Sequence, residues 1–124
     1  MTKLQELYFT IQGWDGFSVK YDLDEYGGGG YAVGGASKCF EIKADEMSWN
    51  FFAYTIMPHL RELTRGKAAT KLIGGWVDND GVAYIEISDI VQDRTEAIKL
   101  GWMREEKAIY DLNNNEEIEI PREL

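Results

Sequence analysis

Apolar and polar residues alternate along several short stretches of this chain, and recur every three or four residues along two longer ones. Tyr8, Phe9, Thr10 and Ile11 are strand formers and place a first strand over Leu4 to Gln12. Gly13-Trp14-Asp15-Gly16 is a turn that folds it back as a hairpin onto Phe17 to Asp22. There Phe17, Val19 and Tyr21 alternate with Ser18, Lys20 and Asp22, as in a half-buried strand. Ser37 to Lys43 reads as a third strand, with Cys39, Glu41 and Lys43 facing one way and Phe40 and Ile42 the other. Lys71 to Val77 and Val82 to Ser88 are the fourth and fifth, joined by Asp78-Asn79-Asp80-Gly81, a hairpin signature. Gly74 and Gly75 within the fourth predict a bulge or a close approach of backbone. Ile85 and Ile87 face away from Tyr84, Glu86 and Ser88. Lys107 to Leu112 is a sixth strand, and Glu117 to Ile120 returns after Asn113-Asn114-Asn115-Glu116 with Ile118 and Ile120 inward. Pro121 ends the pairing, and the tail beyond it is expected to fray.

Helical spacing appears twice. Trp49, Phe52, Ile56, Leu60 and Leu63 give one apolar face to a helix over about 46–65, widened by Phe51 and Tyr54. Asp45 suits its N-cap and Gly66 its C-terminal cap. Pro58 removes a helical hydrogen bond and should kink or split this helix near Tyr54 to Met57. A second helix, about 94–104, starts at Asp93-Arg94-Thr95-Glu96, a capping-box pattern with Asp as the cap. It is expected to bury Ala97, Leu100 and Trp102 and to turn Lys99, Arg104 and Glu105 outward. The whole predicts a single α+β domain over residues 1–124: a mainly antiparallel sheet of six to seven strands with two helices.

Between Leu23 and Gly35 stand Gly27-Gly28-Gly29-Gly30 and Gly34-Gly35. No Gly-Lys-Ser/Thr ends this stretch, so it is no Walker loop. Ala32 or Val33 falls where a dinucleotide fingerprint needs its third glycine. It reads as a mobile loop, with Tyr26 and Tyr31 as candidate contact residues.

Charge narrows the function classes further. With 13 Lys and Arg against 22 Asp and Glu, the net charge of −9 argues against direct binding to a phosphate backbone. Residues 67–124 hold 13 of those acids and 7 of those bases. Cys39 is the single cysteine, so an internal disulfide cannot form. No apolar run approaches a membrane span, and the first residues lack the apolar core of a signal peptide, so a cytoplasmic protein is expected.

Candidate chemistry is sparse. His59 is the sole histidine, and with one Cys it excludes the usual zinc sites within one chain. Asp78-Asn79-Asp80-Gly81 brings its glycine too early for a calcium loop. Asp22 with Asp24, Glu86 with Asp89, and Glu105 with Glu106 are paired carboxylates, but no spacing selects an acid and a base. There is no GxSxG elbow, and Cys39 lacks a nucleophile's context. The reading is of a protein without catalytic residues, cofactor or metal.

Gly74-Gly75-Trp76-Val77, the run Val82 to Ser88, Glu96-Ala97-Ile98 and Ala108 to Leu112 resemble small accessory proteins of phages, prophages and plasmids. Gly16-Phe17-Ser18-Val19 and Gly30-Tyr31-Ala32-Val33 match the upstream half of that pattern. Glu105-Glu106-Lys107 departs from it, standing where an Asn-Gln step is expected. The resemblance implies a mobile-element setting and a counter-defence role of the kind anti-CRISPR proteins play. It brings no catalytic motif.

Two functions follow as expectations. The first is a non-enzymatic inhibitor that covers a basic surface of a host defence protein, with Asp22, Asp24, Glu25, Tyr26, Tyr31, Glu105, Glu106, Glu117 and Glu119 as contact candidates. The second is a phage protein that captures a nucleotide signal, acting as a homo-oligomer. It would stack the base on Trp14, Tyr26 or Tyr31, with Lys20 and Lys38 near the phosphate.

Overall fold

The structure, a computed structural model, describes residues 1–121. The tail expected to fray, Arg122 to Leu124, lies outside the described residues. The α+β class and the antiparallel sheet stand as expected. Among the described residues the sheet has seven strands, and three helical regions accompany it.

The chain opens on a helix, α1 (Lys3–Gln12), where the sequence reading placed a strand. The Thr2 hydroxyl accepts from the Gln5 amide at 3.1 Å while the Gln5 side chain accepts from the Thr2 amide at 2.8 Å, a complete capping box. Leu4, Leu7, Tyr8 and Ile11 then share one helical face and join the core. That stripe outweighs the local strand preference of Tyr8 to Ile11. Tyr8 Oη donates to the Met47 carbonyl at 2.8 Å and Gln12 Nε2 to that of Ala44 at 2.6 Å, tying α1 to the following corner. With α1 helical, no hairpin forms at Gly13–Gly16. Instead β1 (Phe17–Val19) pairs antiparallel with β4 (Lys71–Val77), Phe17 opposite Gly75. A Cβ on Gly75 would lie 2.8 Å from the Phe17 ring and 3.0 Å from Ile11 Cδ1, so the expected close approach occurs there.

β5 (Val82–Val91) is the spine of the sheet. β4 covers one edge, from Lys71 opposite Asp89 to Val77 opposite Ala83. The other edge is shared: β3 (Phe40–Lys43) pairs with its first half and β2 (Tyr31–Val33) with its last residues. β2 lies inside the stretch read as a mobile loop. It is held from both sides, by β5 and by β6 (Ala108–Asp111), and β7 (Glu116–Glu119) completes the sheet. The Asp78–Gly81 hairpin forms as read, with Gly81 at φ +82°.

The long helix is split where Pro58 predicted. After a 3-10 turn at Ala44–Glu46, Ser48 rather than Asp45 is the N-cap of α2 (Trp49–Phe51). A π-helical stretch, Phe52–Ile56, leads into α3 (Met57–Thr64), with Pro58 in its first turn. Met57 donates to the Phe52 carbonyl, five residues back, a winding that does not need the amide Pro58 lacks. The wider turn shifts the apolar stripe. Phe52, Ile56, Leu60 and Thr64 are buried, whereas Leu63, Phe51 and Tyr54, read as inward, are exposed. Gly66 follows the helix at φ +71°, as its cap role requires.

α4 (Arg94–Met103) is capped by Asp93, whose Oδ1 accepts from the Glu96 amide at 2.9 Å. It buries Ala97 and Gly101, while Trp102 is exposed rather than inward. Residues from α1 and from Phe52 to Leu60 pack on Ile73, Ile85 and Ile87 in one core cluster. Ala97 packs on Val33, Ile109 and Ile120 in a second. Val91, two side-chain alternations beyond Ile87 on β5, packs against the second cluster, so all the helices cover one face of the sheet.

Candidate interaction face

The other face follows from strand alternation. Trp76 on β4, Tyr84 and Glu86 on β5, and Glu41 on β3 point away from the helices, with Trp76 opposite Tyr84 and Tyr84 opposite Glu41. The Trp76 and Tyr84 rings stack at 4.4 Å and 15°. Further along, Tyr110 on β6 stands opposite Glu117 on β7, with Glu119 on the same side. Trp76 is 49% and Tyr110 38% exposed. Leu72 on this side is fully buried. Toward the hairpin the face is open.

The hairpin fixes the stack. Asp78 Oδ1 accepts from the Asp80 and Val82 amides at 2.9 and 3.0 Å, and its Oδ2 accepts from Tyr84 Oη at 3.0 Å. These bonds, that from Val82 first, hold the Asp78 carboxyl below its ordinary range. Reciprocally, the bond to Asp78, followed by burial, pushes the Tyr84 phenol up to about 12.

Between β2 and β3 the shared edge is interrupted. Residues 34–39 loop out opposite 86–88. Gly35 donates to Glu86 Oε1 at 3.1 Å, Ala36 donates to the Ile87 carbonyl at 3.3 Å, and Ser37 Oγ accepts from the Ile87 amide at 3.2 Å. Gly34 is buried there, with no room for a Cβ between the carboxylates of Glu86 and Glu106. Behind it Asp89 accepts from Lys71 and, at 2.6 Å, from Arg104 Nη2. Arg104 Nη1 also donates to the carbonyls of Val33 and Gly34 at 3.3 and 3.0 Å. Burial opposes ionisation of Asp89, but the hydrogen bonds from Lys71 and Arg104 outweigh it and lower its pKa.

Burial, then the neighbouring Glu86, pushes the Cys39 thiol up to about 12, so it is a protonated thiol at neutral pH. His59 is exposed on α3, its ring edge-on to Phe40 at 5.9 Å. Among the described residues no group of three His, Cys, Asp or Glu is placed to hold a metal ion, and no helix is long and apolar enough to cross a membrane.

The contact candidates named from sequence do not form one patch. Asp22, Asp24 and Glu25 gather beside β1, where Glu25 bridges to Val19. Lys3 pairs with Asp24, and Lys20 with Asp22 at 3.7 Å, so part of that charge is neutralised locally. The nearby cleft of about 420 Å³ is lined by Lys3 together with Glu6, Asp15, Asp24 and Glu25, the wrong charge for a phosphate. Tyr26 Oη donates to the Gly29 carbonyl at 2.9 Å, Tyr31 packs against the second core cluster, and Trp14 lies over Gly81. The three rings are therefore not assembled into a stacking site. Glu105 is exposed at φ +59°, and Glu106 is half-buried by Gly34. Glu117 and Glu119 are exposed on β7, at the opposite edge of the sheet from β1. The sequence reading did not single out Trp76, Tyr84 or Tyr110 as contacts. The hairpin register, symmetric about Asp80, is what places Trp76 against Tyr84.

Fold and face together define an α+β protein that covers one side of a curled antiparallel sheet with helices and leaves aromatic rings and carboxylates on the other. No family model, curated protein or solved structure matches the chain.

Proposed function

We propose that this protein acts without catalysis, as an inhibitor that covers a basic surface of another protein with the open face of its sheet. The observation that carries this reading is the exposed Trp76 ring stacked on the half-buried Tyr84, with the half-buried Glu86 beside them, continued by Tyr110, Glu117 and Glu119. Exposed Trp and Tyr on rigid strands are the residues that dominate protein contacts, and an arginine of the partner can lie on such a ring while its guanidinium meets a carboxylate. The net charge of −9 favours fast, oriented encounter with a basic target. The sequence resemblance supplies the setting: a mobile-element protein directed at a host defence protein. Glu105 and Glu106 extend the acidic side; Asp22, Asp24 and Glu25 lie at the far edge and take no part. No feature of the described residues favours nucleotide capture.

The test is amide chemical-shift mapping with a short arginine-rich peptide as the basic probe. Shifts should centre on Trp76, Tyr84, Tyr110 and Glu117, fade between about 50 and about 500 mM salt, and vanish in Trp76→Ala/Glu117→Lys. Shifts centred on Asp22 to Glu25, or insensitive to salt, would overturn the assignment.

A further inference from the structure

β3 has a strand partner on one side. Its register with β5 sets Phe40 opposite Ile85 and Lys43 opposite Val82, and the next residue, Ala44, donates its amide to the Gly81 carbonyl at 2.8 Å. That bond fixes the phase of the ladder. Residues that exchange hydrogen bonds alternate along an antiparallel pair, so Phe40, Ile42 and Ala44 direct their backbone groups toward β5. Glu41 and Lys43 direct theirs outward, to an edge that no other described strand occupies. Both side chains are exposed, and neither forms an ion pair among the described residues.

We infer that this edge pairs with the same edge of a second copy of the chain, antiparallel, with Ile42 on the two-fold axis. In that register Glu41 of each copy stands opposite Lys43 of the other. The two residues exchange both backbone hydrogen bonds, and their side chains meet with opposite charge on the open face. Ile42 meets Ile42 of the second copy on the helix-facing side, as the closely spaced, non-hydrogen-bonded pair. Setting Glu41 opposite Glu41, or Lys43 opposite Lys43, would use the same kind of backbone groups but bring like charges together. Charge and backbone phase thus select one register. An apolar strip borders it: Phe40 is half-buried, and the exposed Phe51 ring lies 6.4 Å from it. Charged residues on an edge strand ordinarily discourage pairing; here their order, Glu-Ile-Lys, is self-complementary. The contact uses neither Trp76 nor Glu117, so it stands or falls separately from the proposed partner face.

Sedimentation equilibrium over a concentration series tests the inference on the wild type, Glu41→Lys, Lys43→Glu and the double reversal. The wild type should dimerise, each single reversal should weaken the dimer by about tenfold or more, and the double reversal should restore it. In a Cys39→Ser background, Ile42→Cys should form an intermolecular disulfide under air, because a non-hydrogen-bonded antiparallel pair brings its Cα atoms to about 4.5 Å. Lys67→Cys in the same background is the control. A wild type that stays monomeric at every concentration, single reversals that leave the dimer unchanged, or a double reversal that fails to restore it would each overturn the inference. So would a position-42 thiol that couples no faster than the control. If Ile42→Cys fails to fold, judged by circular dichroism, the charge-reversal series decides alone.

Discussion

Replacing Asp89 by alanine removes the acceptor shared by Lys71 and Arg104 and leaves two cations facing an apolar gap. Each charge-assisted hydrogen bond contributes about 1.5–3 kcal/mol where it is well shielded. The effect here is smaller. Burial of the carboxylate already opposes its charge, and the side chains of Asp89, Lys71 and Arg104 remain 19%, 27% and 25% exposed, so water screens the pairs. A net loss of about 2 kcal/mol follows, roughly 8 °C in Tm for a domain of this size. Asp89→Asn keeps the shape without the charge and should lose about half of that. Arg104→Met should cost more than Lys71→Met, because Arg104 also satisfies the Val33 and Gly34 carbonyls. The pH dependence has a definite sign. The folded pKa of Asp89 lies below its ordinary value of 3.8, so its contribution is complete above that value and disappears as pH falls through the depressed one. Urea unfolding of wild type and Asp89→Ala should therefore show a constant gap from neutral pH down to about pH 5, closing below about pH 4. A gap under about 0.5 kcal/mol at pH 7, or one that persists undiminished at the lowest pH where both still fold, would refute the reasoning.

Gly101→Ala gains helix propensity yet drives a methyl to 2.8 Å from Ile109 Cγ2, so it should lose about 1–3 kcal/mol in chemical denaturation. Cys39, with its thiol up at about 12, should resist iodoacetamide at pH 8 in the native protein and react at once in denaturant. Spectrophotometric titration should show one tyrosine, lost in Tyr84→Phe, that ionises about two pH units above an ordinary phenol. Glu41→Lys and Lys43→Glu, both at exposed positions, should leave the Tm within a degree or two at concentrations where the chain is monomeric.

Which features could be read from the chain depended on how local their causes are. The Asp78–Gly81 hairpin is specified by its own four residues, and the facing of Phe40, Glu41, Ile42 and Lys43 by simple alternation; both appear as read. α1 was equally local, with a Thr2–Gln5 box and a stripe at Leu4, Leu7, Tyr8 and Ile11. Strand propensity at Tyr8 to Ile11 speaks for four residues only, whereas the helical period runs through all ten of Lys3–Gln12. β2 is different in kind. Three residues between glycine runs carry too little pattern to announce a strand, and what makes Tyr31–Val33 one is pairing with β5 and β6, distant in sequence. The inward turn of Thr64 in place of Leu63 depends on the π winding around Pro58, which shifts the helical phase by an amount that periodicity alone does not provide. Acidic residues were visible as acidic, but their grouping was not: Asp22 to Glu25 and Glu117 to Glu119 look alike in composition and lie at opposite edges.

The division of one β5 edge between β2 and β3 links the two proposals physically. A strand that ran unbroken along β5 would keep one register, whereas the registers of β2 and β3 on β5 differ by three residues. The six looped residues 34–39 take up the difference by displacing the chain opposite Glu86 to Ser88. Gly34 permits the displacement, since any side chain there would collide with the carboxylates of Glu86 and Glu106. Gly34→Val should therefore act at a distance. By forcing Glu86 aside it breaks the bond from the Gly35 amide, loosens the loop that positions β3, and weakens both the pairing edge at Glu41 and the carboxylate beside Trp76. Amide exchange reads the effect residue by residue. Ile42 and Ala44, whose amides face β5, should exchange faster in Gly34→Val while Ile73, paired with β1, stays protected. Uniform loss of protection across the sheet would instead mean that Gly34 serves global packing, and that the interruption of the edge has no separate role.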